Sequence, residues 1–403
     1  MFNSQIPHNF LTEMIANNTV SSDDPAIDQS NKAYCELLAD RLDRLNFNCQ
    51  LYAVPTHDHD TQPQKWNLIA CRAGHKSEQG GLMLSGHSDT VPAELPQWQQ
   101  DPWQLTQHND HLYGLGVTDM KGFFAAVITA LEQLPQNNHQ PISLVITADE
   151  ETTMAGARAL RAEQLCVPQL NIVGEPTSLQ PVISHKGYLA YRITLNSKGG
   201  HSSLNQQQAN CINAMAEIIL QLQQLATQLQ TMRQDERFSV PVSTLNLGTL
   251  NAGDAVNRIC ASATLELDIR PLPGVESEQI ELWLQQAIDT ALSCFQVSAQ
   301  LSPLYPPVNS FSSSACTHSL FNSCQHHHSA CADHACADYS YPNYAFANYV
   351  TEAPFFEQLG IPSLVMGPGD IRQAHQANES INLIQLTQAS KLYYRLLQDY
   401  CFQ

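Results

Sequence analysis

Histidines and carboxylates recur in this chain at the ends of short apolar runs. Gly86-His87-Ser88-Asp89 follows the run Leu82 to Ser85, and Asp149-Glu150-Glu151 follows Ile142 to Thr147. Glu175, in Gly174-Glu175-Pro176-Thr177, follows Leu170 to Val173. Asp119 stands just before an amphipathic stretch, and His375 lies a few residues beyond the run ending at Met366. Any one of these alone would suit a helix cap or a surface loop. In open α/β sheets, however, functional residues collect beyond the carboxyl ends of the strands. Carboxylates and imidazoles gathered there are costly to desolvate without a cation, and zinc takes such nitrogen and oxygen donors. Taken together, the constellation points to a metal site.

Elements that would position these residues are legible around them. Asn67 to Cys71 and Leu82 to Ser85 read as strands, and Phe123 to Leu134 reads as an amphipathic helix. Ile142 to Thr147 and Leu170 to Val173 are short, mainly apolar runs of the kind a buried, largely parallel sheet contains. That alternation is α/β. A different order runs from Ser184 to Ala299. It has strands at Tyr188 to Leu195, Ser243 to Asn251, Arg258 to Arg270 and Phe295 to Leu301. Helical stretches fall at Ala209 to Gln230 and Ser277 to Ser293, which gives the β-α-β-β-α-β order of a ferredoxin-like unit. The first pattern resumes near Tyr349, with Ser363 to Met366 as a further buried strand. The expected architecture is an α/β domain with a mixed, mostly parallel sheet flanked by helices, built from residues 1–183 and 300–403. Residues 184–299 form an inserted ferredoxin-like α+β unit, a lid or dimerisation domain.

Composition bounds the partners. With 43% hydrophobic residues among 403, the chain can bury a large core. Nineteen basic against 38 acidic residues leave a net charge of -19, which opposes binding to nucleic acid or to an anionic membrane. No apolar run could span a bilayer, and Met1 to Phe10 lacks the features of a signal peptide. Most of the twelve cysteines stand singly, and Cys71, Cys166, Cys211 and Cys260 read as buried free thiols of a cytoplasmic protein. Residues 310–344 are atypical, holding Cys316, Cys324, Cys331 and Cys336 with His318, His326, His327, His328 and His334. Those spacings lack the paired C-x-x-C of a structural zinc site, so an irregular segment is expected there. A third metal site or a redox-sensitive loop is the alternative.

Longer motifs tie these residues together. They are Ser-Gly-His-Ser-Asp-Thr-Val-Pro (85–92), Thr-Asp-Met-Lys-Gly (118–122), Thr-Ala-Asp-Glu-Glu-Thr (147–152) and Val-Gly-Glu-Pro-Thr (173–177). Gly-Gly-His-Ser-Ser (199–203), Asp-Ile-Arg-Pro-Leu-Pro-Gly (268–274), Thr-Glu-Ala-Pro-Phe (351–355) and Met-Gly-Pro-Gly (366–369) follow. In these motifs the chain resembles the M20 family of metallopeptidases and deacylases, and within it the acetylornithine deacetylases.

The resemblance implies a zinc-peptidase catalytic domain holding two divalent metal ions, zinc or cobalt. Asp119 would bridge them, His87 and Glu175 would complete one ligand set, and Glu151 and His375 the other. Glu150 would be the general base, and Asp89 would fix the His87 tautomer. His201, on the inserted unit, would stabilise the tetrahedral oxyanion, either after closure or from a partner chain. Asn257 and Arg258 would hold the substrate carboxylate, while the Gly367 loop would offer backbone N–H groups. Glu352 would face a substrate ammonium, with a salt bridge or a cap as its plainer reading. The implied substrate is a small N-acyl amino acid, N-acetylornithine first, and the implied assembly is a homodimer. Succinyl-diaminopimelate, another N-acyl amino acid or a dipeptide remain alternative substrates. A catalytically dead scaffold would be expected to lack a ligand or the base, and none is missing.

Overall fold

The computed structural model describes residues 8–55, 63–73, 80–137, 139–204, 209–317 and 344–402. Most of the Cys/His-rich segment therefore lies outside the described residues, Cys324, Cys331, Cys336 and all its histidines included. Contacts divide the chain into two units. One comprises residues 1–183, 313–345 and 351–403, and the other 184–312 and 346–350. The return crossing thus falls at 312/313, where 299/300 is expected from sequence, because the chain after the last ferredoxin-type strand stays with the inserted unit.

The first unit is organised by four parallel strands in the order Ile142–Thr147, Leu82–His87, Leu170–Pro176 and Ser363–Gly367. Every residue of these four strands is buried. Apolar content on both faces is what such strands need, and it is why their sequences run without alternation. Trp66–Arg72 and then Asn48–Ala53 extend the sheet antiparallel on one side.

Helix Lys121–Leu131 is buried along its whole length, and its Phe123 ring meets Tyr393 of helix Leu383–Cys401 edge-on at 5.4 Å. The first of these helices comes very close to the sheet at two glycines. A Cβ on Gly86 would stand 2.0 Å from Met120 Cε, and one on Gly174 would stand 2.3 Å from the Phe123 ring. Those glycines immediately precede His87 and Glu175, so bare backbone there lets the helix N-terminus sit against the strand ends.

The second unit has a four-stranded antiparallel sheet in the order Thr244–Ala252, Ser262–Arg270, Leu189–Asn196 and Ser298–Pro303. Helices Cys211–Met232 and Ser277–Leu292 share its apolar core. This is the ferredoxin-like arrangement expected from sequence. The long strand expected at Arg258 to Arg270 is broken, with Arg258–Ile259 leaving to pair with Gly200–His201.

Two cysteine assignments are corrected. Cys71 and Cys166, read as free thiols, form a disulfide across 95 residues. Each is unremarkable in its own segment, and only the folded sheet brings Cys71 beside the loop that carries Cys166. Cys211 and Cys260 are free and buried. Among the described residues, no helix is long and apolar enough to cross a membrane.

Candidate metal centre

Parallel register brings the separated motifs to one edge. His87 and Thr147 are Cα partners, and Ser85 pairs with Val173, so the strands before His87, Asp149 and Glu175 end together. Asp119 enters just ahead of the helix that begins at Lys121, where the helix dipole favours a negative charge. His375 comes from the other end of the chain.

These side chains converge. His87 Nε2 lies 3.0 Å from Asp119 Oδ1 and 3.9 Å from Glu175 Oε1. His375 Nε2 lies 2.9 Å from Glu151 Oε2 and 3.6 Å from Asp119 Oδ2. Donor atoms of His87, Glu150 and Glu175 fall within 4.8 Å of one another, and so do those of His87, Asp119 and Glu151. His375 is the exposed member, with 54% of its side chain open to solvent.

Burial, and then the charge of Glu175, pushes the Glu150 carboxyl well above the usual range. Burial followed by the Asp119 charge does the same to Glu175 and raises Glu151. Burial alone would lower the His87 pKa, but hydrogen bonding to Asp119 and the surrounding carboxylates carry it well above the ordinary histidine value. Glu175 Oε1 is buried without a hydrogen-bond partner. An orphaned carboxylate oxygen among crowded carboxylates and imidazoles fits a divalent cation, which accepts this donor set and reverses the repulsion. The residues present therefore fit a metal centre.

Asp89 meets the His87 imidazole through its main chain and not through its carboxylate. The His87 Nδ1–H donates to the Asp89 main-chain carbonyl at 3.0 Å, while the Asp89 carboxylate is 3.7 Å away. That carboxylate instead accepts the backbone N–H of Glu150 at 3.1 Å and of Glu151 at 3.0 Å. It fixes the turn carrying both glutamates, and its own main chain sets the imidazole tautomer.

Sequence reasoning missed a second brace on the same turn. Asp149 holds a left-handed backbone, φ 56°, just before Glu150. Its carboxylate accepts from Ser21 Oγ at 2.6 Å and lies 3.2 Å from the buried Lys65 ammonium. Lys65 also meets Asp28 at 2.6 Å and donates to the Gln29 carbonyl. Lys65 follows Gln62-Pro63-Gln64 and reads as the polar edge of the strand at Asn67 to Cys71, so no local signal marked it. Glu379 was missed as well. It is fully buried, and its carboxylate accepts the N–H groups of Gly116, Thr118 and Asp119. Burial pushes its pKa up to about 8 while those three donors pull it down.

One substrate-contact assignment is corrected. The Gly367 N–H donates to Thr177 Oγ1, and the Gly369 N–H to Gln385 Oε1, so the loop has no free N–H at either glycine. Glu352 is wholly enclosed, accepts from Thr147 Oγ1 at 2.7 Å through one oxygen, and has its pKa raised by burial to about 7. Its other oxygen, Oε1, is buried without a hydrogen-bond partner.

In the second unit, His201 and Arg258 are Cα partners, and the Ser202 N–H donates to the Asn257 carbonyl. The three predicted residues are thus neighbours. His201 Nδ1 lies 2.8 Å from Ser203 Oγ and 3.2 Å from the Ser203 backbone nitrogen. Arg258 is exposed and paired with Asp254.

Comparison with known proteins agrees with this geometry. The sequence model described as peptidase family M20/M25/M40 matches residues 83–399. An acetylornithine deacetylase from Yersinia pseudotuberculosis serotype O:1b (strain IP 31758) is 38% identical over 397 residues, covering 97% of this chain and 96% of its own. Among solved structures, a tripeptidase from Staphylococcus aureus subsp. aureus mu50 superposes with a TM-score of 0.73 at 18% identity, over 99% of both chains. The YXEP protein of Bacillus subtilis, described as a dinuclear metal-binding peptidase from the M20 family, gives 0.62 at 14% identity over 96% of each. At such identities, the solved structures speak for the fold alone.

The Lys65 brace provides a test independent of any cation. Lys65→Met removes the ammonium and leaves Asp28 and Asp149 buried without it. The expected cost is about 3–5 kcal/mol, read as a lower midpoint of urea unfolding. An unchanged midpoint would show that the two carboxylates do not depend on Lys65.

Proposed function

The chain belongs to peptidase family M20/M25/M40 and is a metal-dependent hydrolase, and from that premise we propose that it cleaves the amide of N2-acetyl-L-ornithine, releasing acetate and the free amino acid. The observation that carries the substrate is the 38% identity to an acetylornithine deacetylase over 97% of this chain.

In this reading, the site would hold two divalent cations, zinc or cobalt, with Asp119 as the ligand common to both. His87 and Glu175 complete one donor set, and Glu151 and His375 the other. When bound, such a pair lowers the pKa of a shared water and polarises the amide carbonyl. Glu150 takes the proton released as water attacks and delivers it to the departing amine nitrogen. Support for the split between adjacent glutamates comes from their divergence, since Glu150 groups with His87 and Glu175 while Glu151 groups with His87 and Asp119. Asp89 holds both backbone N–H groups and keeps that divergence fixed.

His201 is the proposed donor to the tetrahedral oxygen, a role supported by its place beside Asn257 and Arg258. Asn257 and Arg258 are proposed for the substrate carboxylate, which would have to compete with Asp254 for the guanidinium. A cytoplasmic homodimer belongs to the same proposal. The mostly exposed edge strand Thr244–Ala252 supports the pairing, since its outer side is free among the described strands.

Amine release from N-acetylornithine, succinyl-diaminopimelate, N-acetylmethionine and a dipeptide tests the substrate. Turnover is expected to vanish on chelation, return with zinc, and be fastest on N-acetylornithine. A faster competitor would overturn the substrate while leaving the hydrolase intact. Glu150→Gln is expected to retain both ions and lose about 10²–10⁴-fold in kcat. Near-normal turnover would remove Glu150 as the base.

A further inference from the structure

The carboxyl-terminal part of the first unit contributes more to the centre than His375. Four residues later, Glu379 is 2% exposed and carries its carboxylate into the loop before Asp119. Its Oε2 accepts the Gly116 N–H at 2.7 Å, and its Oε1 accepts the N–H groups of Thr118 at 2.6 Å and Asp119 at 3.0 Å. The Glu379 main-chain carbonyl accepts the Gly114 N–H, and Thr118 Oγ1 donates to the Ser380 carbonyl. Ser380–Asn382 is paired antiparallel with His111–Tyr113, so the two segments are joined along their whole approach. Gly116 has the left-handed φ of 78° that turns its N–H toward the carboxylate, and a Cβ there would stand 2.7 Å from Thr90 Cγ2.

Three backbone donors facing one carboxylate form a nest for an anion, and the anion is supplied by the chain itself. The loop could have been held by ordinary strand pairing at no desolvation cost. A buried carboxylate is justified there by what the loop carries, because the Asp119 carboxylate lies 3.0 Å from His87 Nε2 and 3.6 Å from His375 Nε2.

We propose that Glu379 is a positioning residue for the metal centre, holding the Asp119 backbone in place for its carboxylate to be shared between two divalent cations. It touches neither cation nor substrate. One short segment, His375 to Ser380, thereby sets a terminal ligand and the bridging ligand together, so any displacement of it moves both. This rests on the reading of Asp119 as a metal ligand and goes beyond that reading in naming what places it.

The experiment uses the full chain with zinc as the probe, measured by chelator competition on folded protein, with kcat and KM at saturating zinc. Glu379→Gln keeps the shape but removes the charge and turns an amide N–H toward the nest. Zinc is expected to bind about 10–100-fold more weakly, with kcat reduced and KM little changed. Glu379→Asp keeps the charge but retracts it by one methylene, so it is expected to fall between Gln and wild type. It also serves as the readout if the Gln variant does not fold. Tyr393→Phe, which deletes the buried hydrogen bond to the Met366 carbonyl, is the matched control, with a lower melting point and unchanged zinc affinity. If Glu379→Gln or Glu379→Asp lowers only the melting point, as that control does, and leaves zinc affinity at the wild-type value, the proposal is overturned. Failure of the wild type itself to bind zinc or cobalt would instead remove the metal-centre reading beneath it.

Discussion

Asp119, Glu150, Glu151 and Glu175 converge on two imidazoles at the carboxyl edge of a buried parallel sheet, and their mutual repulsion is the force that the surrounding structure has to contain. Burial withdraws the water that would screen them, so Glu150, Glu151 and Glu175 are harder to ionise, by burial first and then by the neighbouring carboxylates. Divalent cations reverse that sign. The same crowding that makes the centre unfavourable alone makes it a strong site for ions with oxygen and nitrogen ligands. Around it the chain uses fixed counter-groups. Asp89 ties down two N–H groups, Lys65 neutralises Asp149 and Asp28, and Glu379 fills the nest beneath Asp119.

How much of this was legible in the sequence depends on the range of the interaction. Ile142–Thr147 reads as a buried strand because six consecutive residues lie in the sheet with both faces covered. The ferredoxin-like order of the inserted unit is legible for a similar reason, since its helices and strands keep their own periods. Asn48–Ala53 was not, because its residues are only partly buried and its composition is mixed. The Cys71–Cys166 pairing was invisible for want of any local pattern linking positions 95 residues apart.

Within the site, residue types were easier to read than directions. His87 and Asp89 were correctly seen as neighbours, but it is the carbonyl of Asp89 that meets the imidazole, and sequence does not show which way a carboxylate turns. The Gly367 loop had the right composition for presenting N–H groups. Its donors are taken by Thr177 and Gln385, side chains supplied by other segments. Glu352 read as a partner for a substrate ammonium or as a salt bridge or cap, and Glu379 was not singled out. Only the fold shows that one is sealed against Thr147 and the other against three backbone donors.

The central claim is that this acidic cluster is a two-ion centre, and the direct measurement is the mass of the intact chain under native conditions, before and after chelation. The account requires two divalent ions per chain that chelator removes and added zinc or cobalt restores. A chain that takes up no ion, or saturates at one, would contradict it.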